Sequence, residues 1–268
     1  MIVGVLVADA TVENMARDIA EAHRARARFV PMTADRIGDL DFAYAVQDRL
    51  VSHWRNAGEG EIIGWKVGLT SARMQAMTGI SQPAAGAILA RREHASGAVL
   101  RKSDFIHLGL EAEIAVRVGE PFPEDKEIEP AEAFNRLESV SAAFEIVDDR
   151  NADYVRLDAA SLIADNSWNL GVVLGRPTLT RGLGGLAGRR GVLTVNGELR
   201  DQGMSEDAGG DPLKIVAWLA AHLVRRGQPL QPGQWIMTGS IITTKFPATG
   251  DRYHFAVGGL EPVEARIT

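Results

Sequence analysis

What most constrains the fold is a change of character at Glu61. From there the chain breaks into short apolar runs closed by glycine or proline, at 62–69, 87–89, 112–118, 142–147, 171–174, 191–195, 234–238, 253–257 and 263–267. Strands of this length, separated by turn residues, predict an α+β protein dominated by a β-rich mixed sandwich or roll. Regular strand–helix alternation, the mark of a doubly wound sheet or a (β/α)8 barrel, is absent. Asn196-Gly197, flanked by 193–195 and 198–199, is a hairpin signal.

Helical periodicity is confined to three places. Residues 11–28 carry Met15, Ile19 and Ala22 at helical spacing, with Thr11 able to cap. Residues 40–56 place Phe42, Ala45, Val46, Leu50 and Trp54 on one face, with Asp39 or Asp41 as cap. Residues 212–226 start on Asp211 and Pro212, bury Leu213, Val216, Leu219, Leu223 and Val224, and stop at Gly227. The expected division is a small helical N-terminal cap, 1–60, ahead of a β-roll, 61–268. The glycine- and arginine-rich stretch 181–191 reads as a flexible loop.

The 268 residues carry a net charge of −6 with no basic stripe, which argues against a nucleic-acid partner. Cysteine is absent, so disulfides, thiolate nucleophiles and Cys-based metal sites are excluded. The apolar start, residues 1–8, lacks a basic flank and reads as part of the fold, not as a signal peptide. No apolar run reaches membrane-spanning length. Walker A, dinucleotide-fingerprint and H-E-x-x-H patterns are missing, which disfavours ATP and nicotinamide chemistry. A cytoplasmic enzyme acting on a small molecule is the default expectation.

The chemistry gathers on three glutamates. In the run 110–118, Ala112, Ile114, Val116 and Val118 face one side of a strand while Glu111 and Glu113 face the other. Alone, the pair reads more readily as a solvated strand face. Glu145, however, interrupts the apolar run 142–147, where a carboxylate is costly unless paired or metal-bound. Three carboxylates without cysteine or a histidine cluster suit Mg²⁺, Mn²⁺ or Ca²⁺ better than zinc. Lys66, inside the apolar run 62–69, is either a catalytic or substrate-anchoring lysine or a snorkelling one. Asp165-Asn166 alone reads as a turn and His107 as a loop residue, while Asp148-Asp149-Arg150 is either a surface ion pair, the favoured reading, or a brace behind the site.

Taken in order, several segments resemble the fumarylacetoacetate hydrolase superfamily, in particular its 2-keto-4-pentenoate hydratase / 4-oxalocrotonate decarboxylase branch. They are residues 64–71, Gln82-Pro83 with Gly86, Glu111-Ala112-Glu113, Phe144-Glu145 with Asp148 and Arg150, Ala164-Asp165-Asn166, the 211–219 helix start, Thr238-Gly239-Ser240 and Gly250-Asp251. The resemblance implies a β-rich roll of that superfamily's C-terminal-domain type. It also implies Mg²⁺ or Mn²⁺ held by Glu111, Glu113 and Glu145, and Lys66 and Asp165 as catalytic groups. Asn166, Trp168, Thr238, Gly239 and Ser240 would line the substrate pocket. The implied reaction is hydration or decarboxylation of a 2-oxo or 2-hydroxy-dienoic acid through a metal-bound enolate, in a homo-oligomer.

Three positions depart from the branch. Ala84 stands where an acid usually follows Gln-Pro, Trp168 replaces a small residue, and His107-Leu108-Gly109 replaces Gln-Pro with a basic residue. A retained metal platform with an altered acid–base set is the expectation. It leaves open acylpyruvate C–C hydrolysis, keto–enol isomerisation, and a catalytically lapsed ligand-binding protein.

Overall fold

The computed structural model describes residues 2–32, 39–124, 126 and 128–268, with residues 2–9 described in backbone only. Six helices are described: α1 (Ile2–Arg24), α2 (Leu40–Trp54), α3 (Ala72–Thr78), α4 (Pro130–Asn135), α5 (Ala159–Ala164) and α6 (Pro212–Arg225). The strands are β1 (Ile62–Gly68), β2 (Ala84–Leu89), β3 (Glu93–Ala95), β4 (Ala98–Leu100), β5 (Leu108–Val118), β6 (Leu137–Asp148), β7 (Asn169–Leu174), β8 (Thr178–Leu179), β9 (Arg190–Val195), β10 (Glu198–Met204), β11 (Trp235–Lys245), β12 (Arg252–Val257) and β13 (Val263–Ile267). All nine predicted apolar runs fall on strands; the short β3, β4 and β8 have no run long enough to signal them.

The larger sheet has the order β2-β1-β11-β5-β6-β7-β3, with β8 also pairing with β6. The smaller follows β10-β9-β12-β13-β4. The two meet where Phe144 of β6 packs on Tyr253 and Phe255 of β12, at ring separations of 6.2 and 6.1 Å. Asn196 and Gly197 both take positive φ, 56° and 86°, as the tight turn joining β9 to β10 requires.

The helices obey their sequence signals unevenly. Asp39 settles the choice of cap for α2 by accepting the Phe42 N–H at 3.0 Å, and Asp211 accepts the Leu213 N–H at 2.9 Å at the start of α6. The first helix differs from expectation. It begins at Ile2, so Thr11 lies inside it, and its buried stripe is Val12, Ala16 and Ala20. Residues 2–8 are thus helical, while Met1 lies outside the described residues.

Helix α2 buries Val46, Leu50 and Trp54 in the same apolar core as Leu69, Ile114 and Phe144. The change near residue 60 is therefore a change of element type within one core. The stretch 181–189 is irregular but anchored. Leu186 is fully buried, and Arg189 donates to the carbonyls of Leu183, Gly185 and Gly258. No described helix is long and apolar enough to cross a membrane.

Candidate metal centre and active-site cavity

Strand pairing brings the glutamates together. Glu111 of β5 lies directly opposite Glu145 of β6, and Glu113 is one repeat along, opposite Ala143. Like charges facing each other across a ladder repel unless something positive joins them. One ligand oxygen from each of Glu111, Glu113 and Glu145 falls within 4.8 Å of the others. Their strand face is not solvated. Ala115, Ala143, Val172 and Met237 form a second apolar cluster on it, and Glu113 and Glu145 are both buried. The surface-strand reading of the pair is thereby corrected.

Each carboxylate has one oxygen fixed by a protein donor. Thr244 Oγ1 donates to Glu111 Oε1 at 2.6 Å, and the Gly239 N–H to Glu113 Oε2 at 2.8 Å. Asn169 Nδ2 donates to Glu145 Oε1 at 2.9 Å, and Lys66 Nζ stands 3.2 Å from the same oxygen. The other oxygens of Glu113 (Oε1) and Glu145 (Oε2) are buried with no partner among the described residues. Buried carboxylate oxygens are costly when unsatisfied. An all-oxygen donor set converging in this way fits a hard divalent cation.

The electrostatics agree. Burial raises the Glu113 carboxyl well above the usual range, and the charges of Glu145 and Glu111 add to it. Glu145 is pushed up to about 7 by burial, against the pull of Lys66. For Lys66, burial alone would lower the pKa, but the three carboxylates outweigh it and hold the ammonium protonated.

Gly239 shows why this sequence builds the site. The pairing of β11 with β5 shifts register between Met237 and Ser240. Gly239 sits at that shift with φ 100°, a conformation natural to glycine, and aims its N–H at Glu113. A Cβ there would stand 2.9 Å from Thr70 Oγ1. Ser240 follows on the cavity wall, its hydroxyl donating to the Ile242 carbonyl at 2.5 Å. Thr238 is buried and donates to the Ile114 carbonyl, off the cavity.

A cavity of about 580 Å³ opens beside the trio. Its lining includes Glu111, Gly239, Ser240, Gly68, Thr70 and Tyr154. Lys66 Nζ lies just behind Gly68, where an added Cβ would stand 3.0 Å from it.

The remaining expected residues sit elsewhere. Asp165 does not line this cavity. Its oxygens pair with Arg150 and His23, and it borders a separate pocket between α1 and residues 27–32. Asn166 spends its side chain on the backbone of Ala87, donating at 2.9 Å and accepting at 2.7 Å. Trp168 is buried behind the cavity wall, edge-on to Tyr154 at 5.8 Å and to Phe29 at 5.3 Å. These three are neighbours in sequence, yet their side chains serve packing and bracing.

The surface-pair reading of Asp148-Asp149-Arg150 is corrected too, because all three are buried. Asp148 accepts the N–H groups of Ile106 and His107, and Asp149 receives His107 Nδ1 and the Tyr154 hydroxyl, each at 2.8 Å. His107 is therefore no bland loop residue; its ring also stacks on Phe246 at 4.1 Å. Ala84 is fully buried on β2, opposite Gly68. Asn169, Thr244 and Tyr154 were missed by the sequence reading. Of these only Asn169, a polar residue opening an apolar strand, gave any hint.

Comparison with known proteins agrees with this geometry. The family model for the fumarylacetoacetate (FAA) hydrolase C-terminal domain matches residues 72–268. The chain is 32% identical to a 2-keto-4-pentenoate hydratase of Paraburkholderia phymatum, over 97% of its own length and 98% of the relative's. It is 30% identical to a 4-oxalocrotonate decarboxylase of Pseudomonas putida, over 84% of each chain. The solved structure of 4-oxalocrotonate decarboxylase from Pseudomonas putida G7, complexed with magnesium and adipate, superposes with a TM-score of 0.87 at 28% identity, covering 97% of this chain and 98% of that one. With the glutamate trio, its strand register and this full-length likeness in place, the chain belongs to the fumarylacetoacetate hydrolase family.

Proposed function

We propose that the protein is a lyase dependent on Mg²⁺ or Mn²⁺ that hydrates or decarboxylates a 2-oxo or 2-hydroxy-dienoic acid. The observation that carries this reading is the pair of buried, unpartnered carboxylate oxygens on Glu113 and Glu145, facing Glu111 at ligand-sharing distance. Bound there, the cation supplies Lewis acidity toward the carboxylate and keto oxygens of a 2-oxo acid. Glu111, Glu113 and Glu145 hold it, while Thr244, Gly239 and Asn169 fix the orientation of those three side chains.

Lys66 supplies the mobile proton. Its ammonium is kept charged by the carboxylates and lies next to the cavity behind Gly68. From there it stabilises negative charge as an enolate develops and returns a proton to carbon. Ser240 and Gly239 shape the wall on which the acid head rests. Asp165, with its oxygens held by Arg150 and His23, acts as a brace behind the site. With no carboxylate at Ala84, decarboxylation is the favoured branch, because it needs one proton on carbon and no activated water. The reading carries with it a homo-oligomer in the cytoplasm, which sizing of the purified protein and cell fractionation test.

A panel of 2-hydroxydienoic and 2-oxo acids, assayed with Mg²⁺ and with EDTA, tests the reaction. We expect turnover that EDTA abolishes and Mg²⁺ restores, with release of CO₂ from acids that carry a β,γ-unsaturated leaving carboxylate. Turnover untouched by EDTA would sink the proposal. Metal-dependent cleavage to a free carboxylic acid and pyruvate would instead make the enzyme an acylpyruvate hydrolase.

A further inference from the structure

The cavity has a polar floor and an apolar mouth, and the mouth asks for a matching substrate. Large apolar side chains exposed on a protein surface are normally scattered. Here Met77 (42% exposed), Tyr154 (44%) and Phe246 (46%) all border this one opening beside the half-buried Met74, with the buried Leu69 and Ile241 on the same wall. Two methionines and two aromatic rings make a surface that adapts to a flat apolar group.

The aromatic walls are held in place from behind. His107 stacks on Phe246 with ring planes 9° apart and centroids at 4.1 Å. The same His107 contacts Asp149 through Nδ1, and Asp149 takes the Tyr154 hydroxyl on its other oxygen. Trp168 supports Tyr154 edge-on from the buried side. Asp149 itself is buried, so one carboxylate ties both walls of the mouth to the rigid end of β6. His107 and Trp168, two of the positions where the sequence departs from its branch, thus each back one ring of the mouth, His107 against Phe246 and Trp168 against Tyr154.

We infer that the mouth formed by Phe246, Tyr154, Met74 and Met77 is a specificity clamp for an apolar, preferably aryl, substituent on the tail of the 2-oxo acid. His107, Asp149 and Trp168 are positioning residues for the clamp. The inference rests on the proposed 2-oxo-acid reading of the metal centre. A competing occupant is a second carboxylate on the substrate, for which Arg73, an exposed cation on the cavity rim, would be the partner. The apolar occupant is favoured because Asp207 shares that rim with Arg73 and would repel a second anion, whereas four apolar side chains surround the opening.

Calorimetric binding of three unreactive acids, in Mg²⁺ and in EDTA, tests it: pyruvate as the bare head, 4-phenyl-2-oxobutanoate as head with aryl tail, and 2-oxoglutarate as head with carboxylate tail. We expect the aryl acid to bind roughly tenfold or more tighter than pyruvate, the gain expected from burying a ring, and 2-oxoglutarate to gain nothing. Phe246→Ala and Met77→Ser, at half-exposed positions that the core does not need, should each shrink the aryl advantage while leaving pyruvate binding unchanged. Phe246→Trp should retain it. His107→Ala should weaken aryl binding, and His107→Phe, which keeps the stacking, should recover most of the loss. Metal-dependent pyruvate binding with no aryl advantage, or with 2-oxoglutarate bound most tightly, would overturn the clamp alone. Binding of all three acids that ignores Mg²⁺ would overturn the metal-centre reading and the clamp with it.

Discussion

At the scale of single residues the site is a balance of buried charge. Two glutamates with unpartnered oxygens inside the protein cost stability until a cation or a proton compensates them. Glu113→Gln removes one of those charges. We expect Mg²⁺ to raise the melting temperature of the wild type and to leave that of Glu113→Gln unmoved, while the metal-free melting temperature of the variant is no lower. A melting curve of the variant that still responds to Mg²⁺ would remove Glu113 from the ligand set.

The pH dependence has a definite sign. Glu145 keeps its proton up to about pH 7 in the metal-free fold, against an ordinary value of 4.5. A carboxyl raised on folding stabilises below its unfolded pKa, and that contribution is lost as pH rises through the folded value. Glu113 shifts in the same direction. Metal-free protein should therefore lose thermal stability between about pH 5 and pH 8 while its Mg²⁺ affinity climbs, because binding displaces these protons. An affinity flat across that interval would contradict the assignment.

At the scale of elements, the decisive feature is the irregularity of β11. A regular ladder would spend the Gly239 N–H on its neighbour; the register shift turns it to Glu113 instead. Gly239→Ala should cost about 1–3 kcal/mol, the usual strain of an unsuitable φ, before any contact with Thr70 is counted. Titration of Mg²⁺ against the variant should show weakened binding together with the lost stability. A variant that binds Mg²⁺ normally would mean that the bulge serves the fold and not the site. The start of α6, by contrast, is plain in sequence: Asp211-Pro212 ahead of an apolar stripe can hardly be read otherwise. The N-terminus of α1 is not, because residues 2–8 are apolar without periodicity and carry no cap.

At the scale of the whole molecule, the N-terminal helices and the β-roll share their interior. Every proposed metal ligand lies on β5 or β6, within the stretch 61–268. Yet α2 places Leu50 and Trp54 in the core of the roll, and Gln47 donates to the carbonyls of Ala85 and Ile163 at 2.8 and 2.9 Å. A chain beginning at residue 61 should lose cooperative unfolding, as followed by circular dichroism during heating. If it melts as sharply as the full chain, the helical part is a separable cap.

The sequence alone determined the class of fold and the positions of the long strands, and it singled out the three glutamates as candidate ligands. Those follow from local periodicity and from the cost of a carboxylate in an apolar run, both of which are written within a few residues. Only the tertiary structure decided what surrounds them. Register set Glu111 against Glu145, a bulge aimed Gly239 at Glu113, and Thr244 and Asn169 arrived from β11 and β7 to fix one oxygen each of Glu111 and Glu145. The same holds for the residues that moved out of the expected site. Asp165 and Asn166 look like pocket residues in a one-dimensional motif, but their side chains are claimed by Arg150, His23 and the backbone of Ala87. Hydrogen-bond satisfaction is a property of the folded interior, and partners tens of residues away leave no mark on the local pattern.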